Sequence, residues 1–260
     1  MSLQFIFGNS GSGKSHYLYE HIIEESIKHP EQNYLVLVPE QFTMQTQKEF
    51  VMRHPRHGIM NIDVLSFERL AYRILEETGG ADKVVLDDEG KNFVLRKVAA
   101  GKADFLRVLG ANIRKPGYIS EVKSVISELA QYDVKANEMA PMLEIAPEHS
   151  YLHYKLMDIQ TLYQAFEDYL EEKYITREEL LELLCSQMGK SRILKNAVVA
   201  MDGFTGFTPI QNKVLGELLA CCETVYVTVT IDLKEAPYQY GDKYQLFALS
   251  KQMVHALTEI

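Results

Sequence analysis

Tryptophan is absent from this sequence of 260 residues, and cysteine, proline and glycine are scarce, at 3, 8 and 15 residues. So little glycine and proline excludes collagen-like and low-complexity architectures. Three cysteines are an odd number and too few for a disulfide framework or a metal knuckle, so a reducing cytoplasm is the expected compartment. No stretch approaches about 18 uncharged apolar residues, and no membrane span is expected.

Positive charge is also in short supply, because 27 Lys and Arg face 36 Asp and Glu, a net charge of −9. Taken over the whole chain, this balance argues against a surface dedicated to nucleic acid. A local basic patch stays open, because binding depends on where the charges lie. The first residues, Met1 to Gly8, lack a basic segment followed by a long apolar run, so no secretory signal is expected there.

What the sequence does have is a core-forming composition, 47% hydrophobic, which excludes disorder and suits one large domain or two small ones. Short apolar runs predict five buried strands, at residues 3–7, 34–38, 61–65, 197–201 and 224–231. Helical stretches at residues 14–28 and 42–52 separate the first three. The run 34–38 is continuously apolar, as in a strand of a parallel sheet that is covered on both faces. This alternation predicts a doubly wound α/β domain.

The middle of the chain, from residue 68 to 194, has helical periodicity almost throughout. Apolar residues recur at three- and four-residue spacing in two stripes: Ile119, Val122, Ile126 and Leu129, then Leu152, Leu156, Ile159, Tyr163, Phe166 and Leu170. Thr176 and Glu179 have the spacing of a capping box, which predicts a helix start. Residues 139–142 and 146–147 are predicted as loop between helices.

Together these patterns predict two parts. An α/β part with a parallel sheet comprises residues 1–70 and 195–260, and a mostly α-helical insertion subdomain at residues 71–194 interrupts it.

A phosphate-loop motif, G-x-x-x-x-G-K-[ST], is matched at every position by Gly8, Asn9, Ser10, Gly11, Ser12, Gly13, Lys14 and Ser15. It follows the first predicted strand and opens a helix, so its backbone N–H groups and the helix N-terminus would form an anion site. Lys14 would reach the β- and γ-phosphates, and the Ser15 hydroxyl would bind Mg²⁺. The motif therefore predicts that the chain binds ATP or a similar nucleoside triphosphate.

A second nucleotide motif ends the fourth predicted strand, where Asp202 follows the apolar run 197–201. An aspartate in this position would hold the Mg²⁺ that Ser15 also binds. Nucleotide motors of this type carry a glutamate next, which polarises the attacking water. Here the next residue is Gly203, which has no side chain for that task.

The segment from Asp202 to Gln211 resembles motif II of the UvrD-like superfamily 1 helicases, whose pattern is D-E-F-Q-D-x-x-P-x-Q. Asp202, Phe204, Pro209 and Gln211 match it, whereas Gly203, Thr205 and Gly206 depart from it. Residues 63–71 resemble the strand-to-helix segment with which such helicases meet single-stranded DNA, which implies Ser66, Phe67 and Arg69 as possible DNA contacts. Residues 175–184 resemble the helix that closes their inserted subdomain.

The phosphate loop, residues 38–43 and residues 202–209 occur together in an order similar to the N-terminal region of the AddB family. Its members are components of bacterial ATP-dependent helicase–deoxyribonucleases. The resemblance covers nearly the whole chain and implies a RecA-like first helicase domain. It also implies a heterodimer with an AddA-type helicase–nuclease subunit, and a role in processing DNA double-strand breaks for Chi-regulated homologous recombination.

The resemblance also implies parts that this chain is not expected to contain. The family's nuclease domain and iron–sulfur cluster lie near the C-terminus, and Cys185, Cys221 and Cys222 do not match the cluster pattern. The second RecA-like domain, which normally supplies an arginine to the γ-phosphate, would follow residue 260. Without that arginine and the motif II glutamate, we expect binding of Mg·ATP with slow hydrolysis, since each typically contributes orders of magnitude.

Two other interpretations stay open at this point. The chain could be a self-contained P-loop kinase or NTPase whose helical insertion acts as a lid, or it could hold ATP as a purely structural ligand. Whether it is itself an enzyme therefore stays undecided. A kinase would transfer phosphate with no DNA present.

Weaker signals have two interpretations each. The basic residues from Lys91 to Lys115 could contact DNA phosphates or form a solvated helix face. Phe67 could stack on a base or belong to the core. Glu40, after the second strand, could substitute for the absent glutamate.

Overall fold

The computed structural model describes residues 2–80, 83–113, 115–170, 174–232, 234–239, 242 and 244–260. The chain divides into two compact units. Unit 1 comprises residues 1–80 and 181–260, and unit 2 comprises residues 81–180. The assignment of these parts as a helicase domain and its inserted subdomain stays a prediction.

A five-stranded, fully parallel sheet is the centre of unit 1. Its strands are β1 (Ser2–Gly8), β2 (Tyr34–Leu37), β3 (Ile62–Leu65), β6 (Val198–Met201) and β7 (Thr224–Thr230). Their order is β1-β7-β6-β2-β3, so β7 lies between the first strand and the strand that ends before Asp202. The predicted α/β fold with a parallel sheet is confirmed, and all five predicted strands are present.

The helices of unit 1 are α1 (Lys14–Lys28), α2 (Thr43–Arg53), α3 (Phe67–Thr78), α9 (Pro209–Cys221) and α10 (Ala248–Thr258). Their apolar sides bury the sheet, which explains why β2 is apolar at every position: all four of its residues are buried. One core cluster joins Leu18 and Ile22 of α1 to Phe50 of α2 and Val36 of β2. This packing fixes the start of α1 against the sheet.

Unit 2 is mainly helical, with α4 (Asp88–Lys102), α5 (Pro116–Gln131), α6 (Ala140–Ile145) and α7 (Tyr151–Leu170). Helix α8 (Arg177–Met188) crosses the boundary between the units. The two apolar stripes predicted from the sequence lie on α5 and α7, and most of their residues join one buried cluster. The capping box is also present: the Thr176 amide donates to Glu179 at 2.6 Å, and the Glu179 amide donates to Thr176 Oγ1 at 3.2 Å.

Two features of unit 2 differ from the sequence prediction. The strands β4 (Val84–Val85) and β5 (Tyr174–Ile175) form a small parallel sheet that no pattern indicated. The predicted loop at residues 139–142 is wrong, since a 3₁₀ helix (Ala136–Glu138) and α6 occupy this region. Pro141 lies in the first turn of α6, where a proline is compatible with a helix because no backbone N–H is needed there.

Within the described ranges, no helix combines the length and apolar character that a membrane span requires.

Candidate functional site

The phosphate-loop residues and Asp202 lie at the same edge of the sheet, because parallel strands place their carboxyl ends together. β1 ends at Gly8, and α1 begins at Lys14. Between them, Gly11 and Gly13 have φ angles of 74° and 89°, a left-handed conformation that favours glycine. The predicted strand-loop-helix geometry is therefore the one that the structure adopts.

Gly8 is required by a close approach rather than by its φ angle. A β-carbon at this position would lie 2.4 Å from Ser12 Oγ and 3.2 Å from Lys14 Cγ. The loop folds back here, since the Ser12 amide donates a hydrogen bond of 3.1 Å to the Asn9 carbonyl. A larger side chain would therefore force the Ser12 and Lys14 side chains to shift from their observed positions.

The Lys14 ammonium is held over the loop, where its Nζ donates to the Asn9 carbonyl at 2.8 Å. Burial lowers the pKa of Lys14 from its ordinary value, and the negative charge of Asp202 opposes this shift. A cation held by a carbonyl can exchange that partner for a phosphate oxygen, which forms the stronger, charge-assisted hydrogen bond.

Ser15 and Asp202 are in direct contact across the sheet edge, with Ser15 Oγ donating to Asp202 Oδ1 at 3.0 Å. Asp202 is only 6% exposed. Its amide donates to the Leu37 carbonyl at 3.0 Å, which fixes the residue just beyond β6. The structure thus brings together the two residues that the sequence paired as magnesium ligands.

Two further hydroxyls hold the Asp202 carboxylate, and sequence reasoning missed both. Tyr19 Oη donates to Oδ2 at 2.7 Å, and Thr228 Oγ1 donates to Oδ1 at 2.6 Å. Burial, followed by the charge of Asp202, raises the pKa of Tyr19 well above its usual range. Tyr19 follows Ser15 by four residues on α1, a helical spacing that could have indicated it. Thr228 lies on β7, and only the strand order reveals its proximity to Asp202.

The position of the absent glutamate is occupied by Gly203, which has a φ of 78°. A β-carbon there would lie 3.6 Å from Pro39 Cδ. Glu40, the possible substitute, accepts a hydrogen bond of 3.3 Å from Arg69 Nε. The Glu40 carboxylate is therefore engaged with α3 rather than with the Ser15–Asp202 pair.

The three residues predicted to contact DNA occupy different environments. Ser66 is buried, and its hydroxyl accepts from the Arg69 amide at 3.3 Å, which caps α3. Phe67 is 7% exposed, and its ring centre lies 5.6 Å from that of Phe204 and 6.2 Å from that of Phe207. Arg69 is the exposed member of the three. Their contact with DNA stays a prediction.

The three cysteines are free thiols, with Cys222 buried and the other two half-buried. Burial raises the pKa of Cys185 to about 11 and that of Cys222 to about 12, and it also raises the pKa of Cys221. In the part of the chain that the structure describes, no group of three or more His, Cys, Asp or Glu residues is arranged to hold a metal.

The fold and the site define an α/β protein with a parallel sheet and a phosphate-loop motif at its first strand-to-helix junction. The family described as "ADDB, N-terminal" matches residues 5–260, and this chain belongs to that family. It is 48% identical over 260 residues to the B component of the ATP-dependent helicase/deoxyribonuclease of Lachnoclostridium phytofermentans, covering 100% of this chain and 23% of that relative. The family resemblance inferred from the sequence is thus confirmed.

Two further relatives that carry the same name are less similar in sequence, and they too match this chain over only a small part of their own length. The relative from Listeria monocytogenes is 33% identical over 261 residues, covering 100% of this chain and 22% of the relative. The relative from Bacillus anthracis is 35% identical over 241 residues, covering 90% of this chain and 21% of the relative. The chain therefore spans less than a quarter of the length of these relatives.

Proposed function

We propose that this chain is the nucleotide-binding, helicase-like portion of an AddB-type protein and that it binds Mg·ATP at residues 8–15. The observation that carries this proposal is the 3.0 Å hydrogen bond from Ser15 Oγ to Asp202 Oδ1. It joins the last residue of the phosphate loop to the acid that ends β6. Backbone N–H groups of the loop and the N-terminus of α1 would bind the phosphates.

The oxygens of Ser15 and Asp202 suit Mg²⁺, which prefers hydroxyl, carboxylate and water oxygens. When bound, the ion neutralises charge on the β- and γ-phosphate oxygens. Tyr19 and Thr228 would keep the Asp202 carboxylate in place. Lys14 would exchange the Asn9 carbonyl for a phosphate oxygen.

Hydrolysis would be slow, because Gly203 cannot orient the attacking water. The pairing of Glu40 with Arg69, at 3.3 Å, argues against Glu40 as the substitute for the absent carboxylate. The nucleotide would therefore serve binding and conformational stabilisation rather than movement along DNA.

The cellular role that we propose follows from the relatives, whose names describe one component of an ATP-dependent helicase/deoxyribonuclease. The chain would act in the cytoplasm as part of a heterodimer with an AddA-type helicase–nuclease subunit. This complex would process DNA double-strand breaks for Chi-regulated homologous recombination. Nuclease activity and an iron–sulfur cluster would reside in other parts of the full-length protein. The exposed Arg69 would contact DNA in the segment that also carries the buried Ser66 and Phe67.

Equilibrium binding of a fluorescent ATP analogue, with and without Mg²⁺, tests the nucleotide site. We expect Lys14→Ala to weaken binding at least tenfold (about 1.4 kcal/mol), because it removes a charge-assisted contact to phosphate. Lys48→Ala, at an exposed position of α2, is the matched control and should bind normally. Equal affinities for the two variants would remove the nucleotide site from the proposal.

Turnover measurements separate this function from the kinase or NTPase alternative. We expect a steady-state hydrolysis rate below about 1 s⁻¹ and no phosphate transfer in the absence of DNA. Faster turnover by the isolated chain would support the alternative instead. Co-purification of the full-length protein with an AddA-type partner and labelled duplex DNA tests the proposed assembly.

A further inference from the structure

Unit 2 carries a concentration of contacts between cations and aromatic rings. Three such contacts occur among the described residues, and all three lie in this unit: Arg96 with Phe93, Lys97 with Tyr169, and Arg107 with Tyr154. Energetically significant contacts of this kind occur about once per 70–80 residues. Three contacts are the ordinary number for a chain of this length, but their cations all come from the basic run that begins at Lys91, and this shared origin defines the surface.

The geometry of these contacts defines what we call the α4–α7 seam, made of Phe93, Arg96, Lys97, Arg107, Tyr154 and Tyr169. The cation of Arg96 lies 5.9 Å from the ring centre of Phe93, whereas those of Lys97 and Arg107 each lie 4.9 Å from their tyrosine rings. Lys97 Nζ also donates to Tyr169 Oη at 3.2 Å. The three cations are exposed to solvent.

Aromatic surface is also exposed along the seam, since Phe93 is 65% and Tyr169 is 39% exposed. The Phe93 ring is therefore accessible from solvent beside the Arg96 cation. A ring with a cation on one side and solvent on the other can stack on a flat, negatively charged ligand.

The seam is held rigidly at one end by Asp158. This buried carboxylate accepts three backbone N–H groups, from Arg107 at 3.0 Å, Val108 at 2.7 Å and Leu109 at 2.8 Å. The loop that carries Arg107 is thereby fixed to α7, one turn from Tyr154. The hydrogen-bond network thus fixes the backbone of Arg107, from which its exposed side chain reaches the Tyr154 ring.

The seam is long enough for several nucleotides. Tyr154 and Tyr169 lie fifteen residues apart on α7, which corresponds to about 22 Å along one side of the helix. Stacked nucleotides of one strand are about 3.4 Å apart, so the two tyrosines are separated by the length of about six of them. Sequence-tolerant sites for single strands combine such aromatic platforms with a row of cations.

We infer that the α4–α7 seam is a binding surface for single-stranded DNA, with Phe93 and Tyr169 stacking on bases and Arg96, Lys97 and Arg107 contacting phosphates. The inference takes DNA as a partner from the proposed function but does not depend on the nucleotide site. It also changes which residues of the basic run from Lys91 to Lys115 belong to the DNA-binding surface. Lys91 is 4% exposed and is bound to Glu178 at 2.9 Å, so it does not belong to the surface, and Arg114 lies outside the described residues.

Fluorescence anisotropy with a labelled oligothymidylate of about 15 nucleotides tests the inference on the 260-residue chain. We expect Phe93→Ala to weaken binding about tenfold, the typical effect of losing one stacking platform. Tyr132→Ala is the matched control, because Tyr132 is 63% exposed but lies outside the seam. Equal affinities for these two variants would overturn the stacking role.

The salt dependence of binding tests the phosphate contacts. Removing one contact should reduce the slope of log K against log salt by about 0.7 in Arg96→Gln or Lys97→Gln, but not in the control Lys48→Gln, which loses the same charge in unit 1. No binding at about 50 mM salt, or an unchanged slope in all variants, would overturn the inference. Tighter binding to duplex DNA that Phe93→Ala does not affect would do so as well.

Two variants distinguish a failure of this inference from a failure of the proposed function. Phe93→Ala should leave binding of the ATP analogue unchanged, and Lys14→Ala should leave binding of the oligothymidylate unchanged. A variant that loses both ligands would have lost its fold, and circular dichroism identifies that case. Tyr169→Phe then provides a second measurement, because it keeps the ring and should retain most of the affinity.

Discussion

Tyr19 Oη donates a 2.7 Å hydrogen bond to Asp202 Oδ2, which ties the first turns of α1 to the end of β6. The other carboxylate oxygen accepts from Ser15 and Thr228, so both oxygens are engaged. A buried carboxylate without such partners would be costly. These hydroxyls therefore stabilise the fold and keep the proposed magnesium ligand in one orientation.

Tyr19→Phe should lower the free energy of unfolding by about 1.5–3 kcal/mol, the usual range for a hydrogen bond to a charged group. Urea unfolding followed by circular dichroism measures the change. Tyr17→Phe is the control, because Tyr17 is 61% exposed. The free energy of unfolding of this variant should equal that of the unmodified chain. If the two variants are equally stable, the bond to Asp202 contributes nothing to the fold.

Gly203→Glu restores the residue that UvrD-like helicases carry, yet we expect no gain in ATP hydrolysis. The φ of Gly203 is 78°, so a side chain there adopts a strained backbone conformation that costs about 1–2 kcal/mol. Turnover and urea unfolding measure both effects.

Gly206→Glu is the matched control for that experiment. It adds the same charge three residues later, where a β-carbon meets no other atom within 4 Å. Its stability should remain close to that of the unmodified chain. A hydrolysis rate that rises a hundredfold in Gly203→Glu would contradict the expectation and show that only the carboxylate was lacking.

Local sequence signals predicted much of the site, and tertiary relationships account for what they missed. The phosphate loop and Asp202 follow from residue types at fixed spacing beside apolar strands. Thr228 could not be found in this way, because its contact with Asp202 depends on β7 lying between β1 and β6. The strands β4 and β5 are two residues each and lie far apart in sequence, so they have no detectable periodicity.

A buried ion pair in unit 2 leads to a further prediction. Lys91 and Glu178 have side chains that are 5% and 12% exposed, and their charged atoms lie 2.9 Å apart. Lys91→Met leaves the Glu178 carboxylate without this partner and should lower the free energy of unfolding by about 3–5 kcal/mol. Lys155→Met, at an exposed position on α7, should change it by less than about 0.5 kcal/mol.

The double variant Lys91→Met/Glu178→Leu separates the charge from the packing. Removing both charges should recover most of the lost stability, because no unpaired carboxylate remains. A double variant that is as unstable as Lys91→Met would indicate that the two side chains matter for their shape instead. Urea unfolding of the variants side by side gives the answer.

The thiols should react slowly in the folded chain because the thiolate is the nucleophile. At about pH 8, a pKa of about 11 for Cys185 leaves roughly one thiolate in a thousand, against about one in four for an unfolded cysteine with a pKa near 8.5. Reaction of Cys185 with a disulfide reagent should thus be at least about a hundredfold slower in buffer than in denaturant. Its rate should rise about tenfold per pH unit until the pH approaches 11.

The sign of the linked stability change follows from the same shifts. The folded-state pKa values of Cys185 and Cys222, about 11 and 12, lie above the unfolded value, so unfolding releases protons between about pH 8.5 and 12. The free energy of unfolding should therefore fall as the pH rises through this window. In urea titrations at pH values from about 8 to 11, the free energy of unfolding of Cys222→Ala should fall less steeply with pH than that of the unmodified chain. Parallel curves would show that the Cys222 thiol keeps its ordinary pKa in the folded protein.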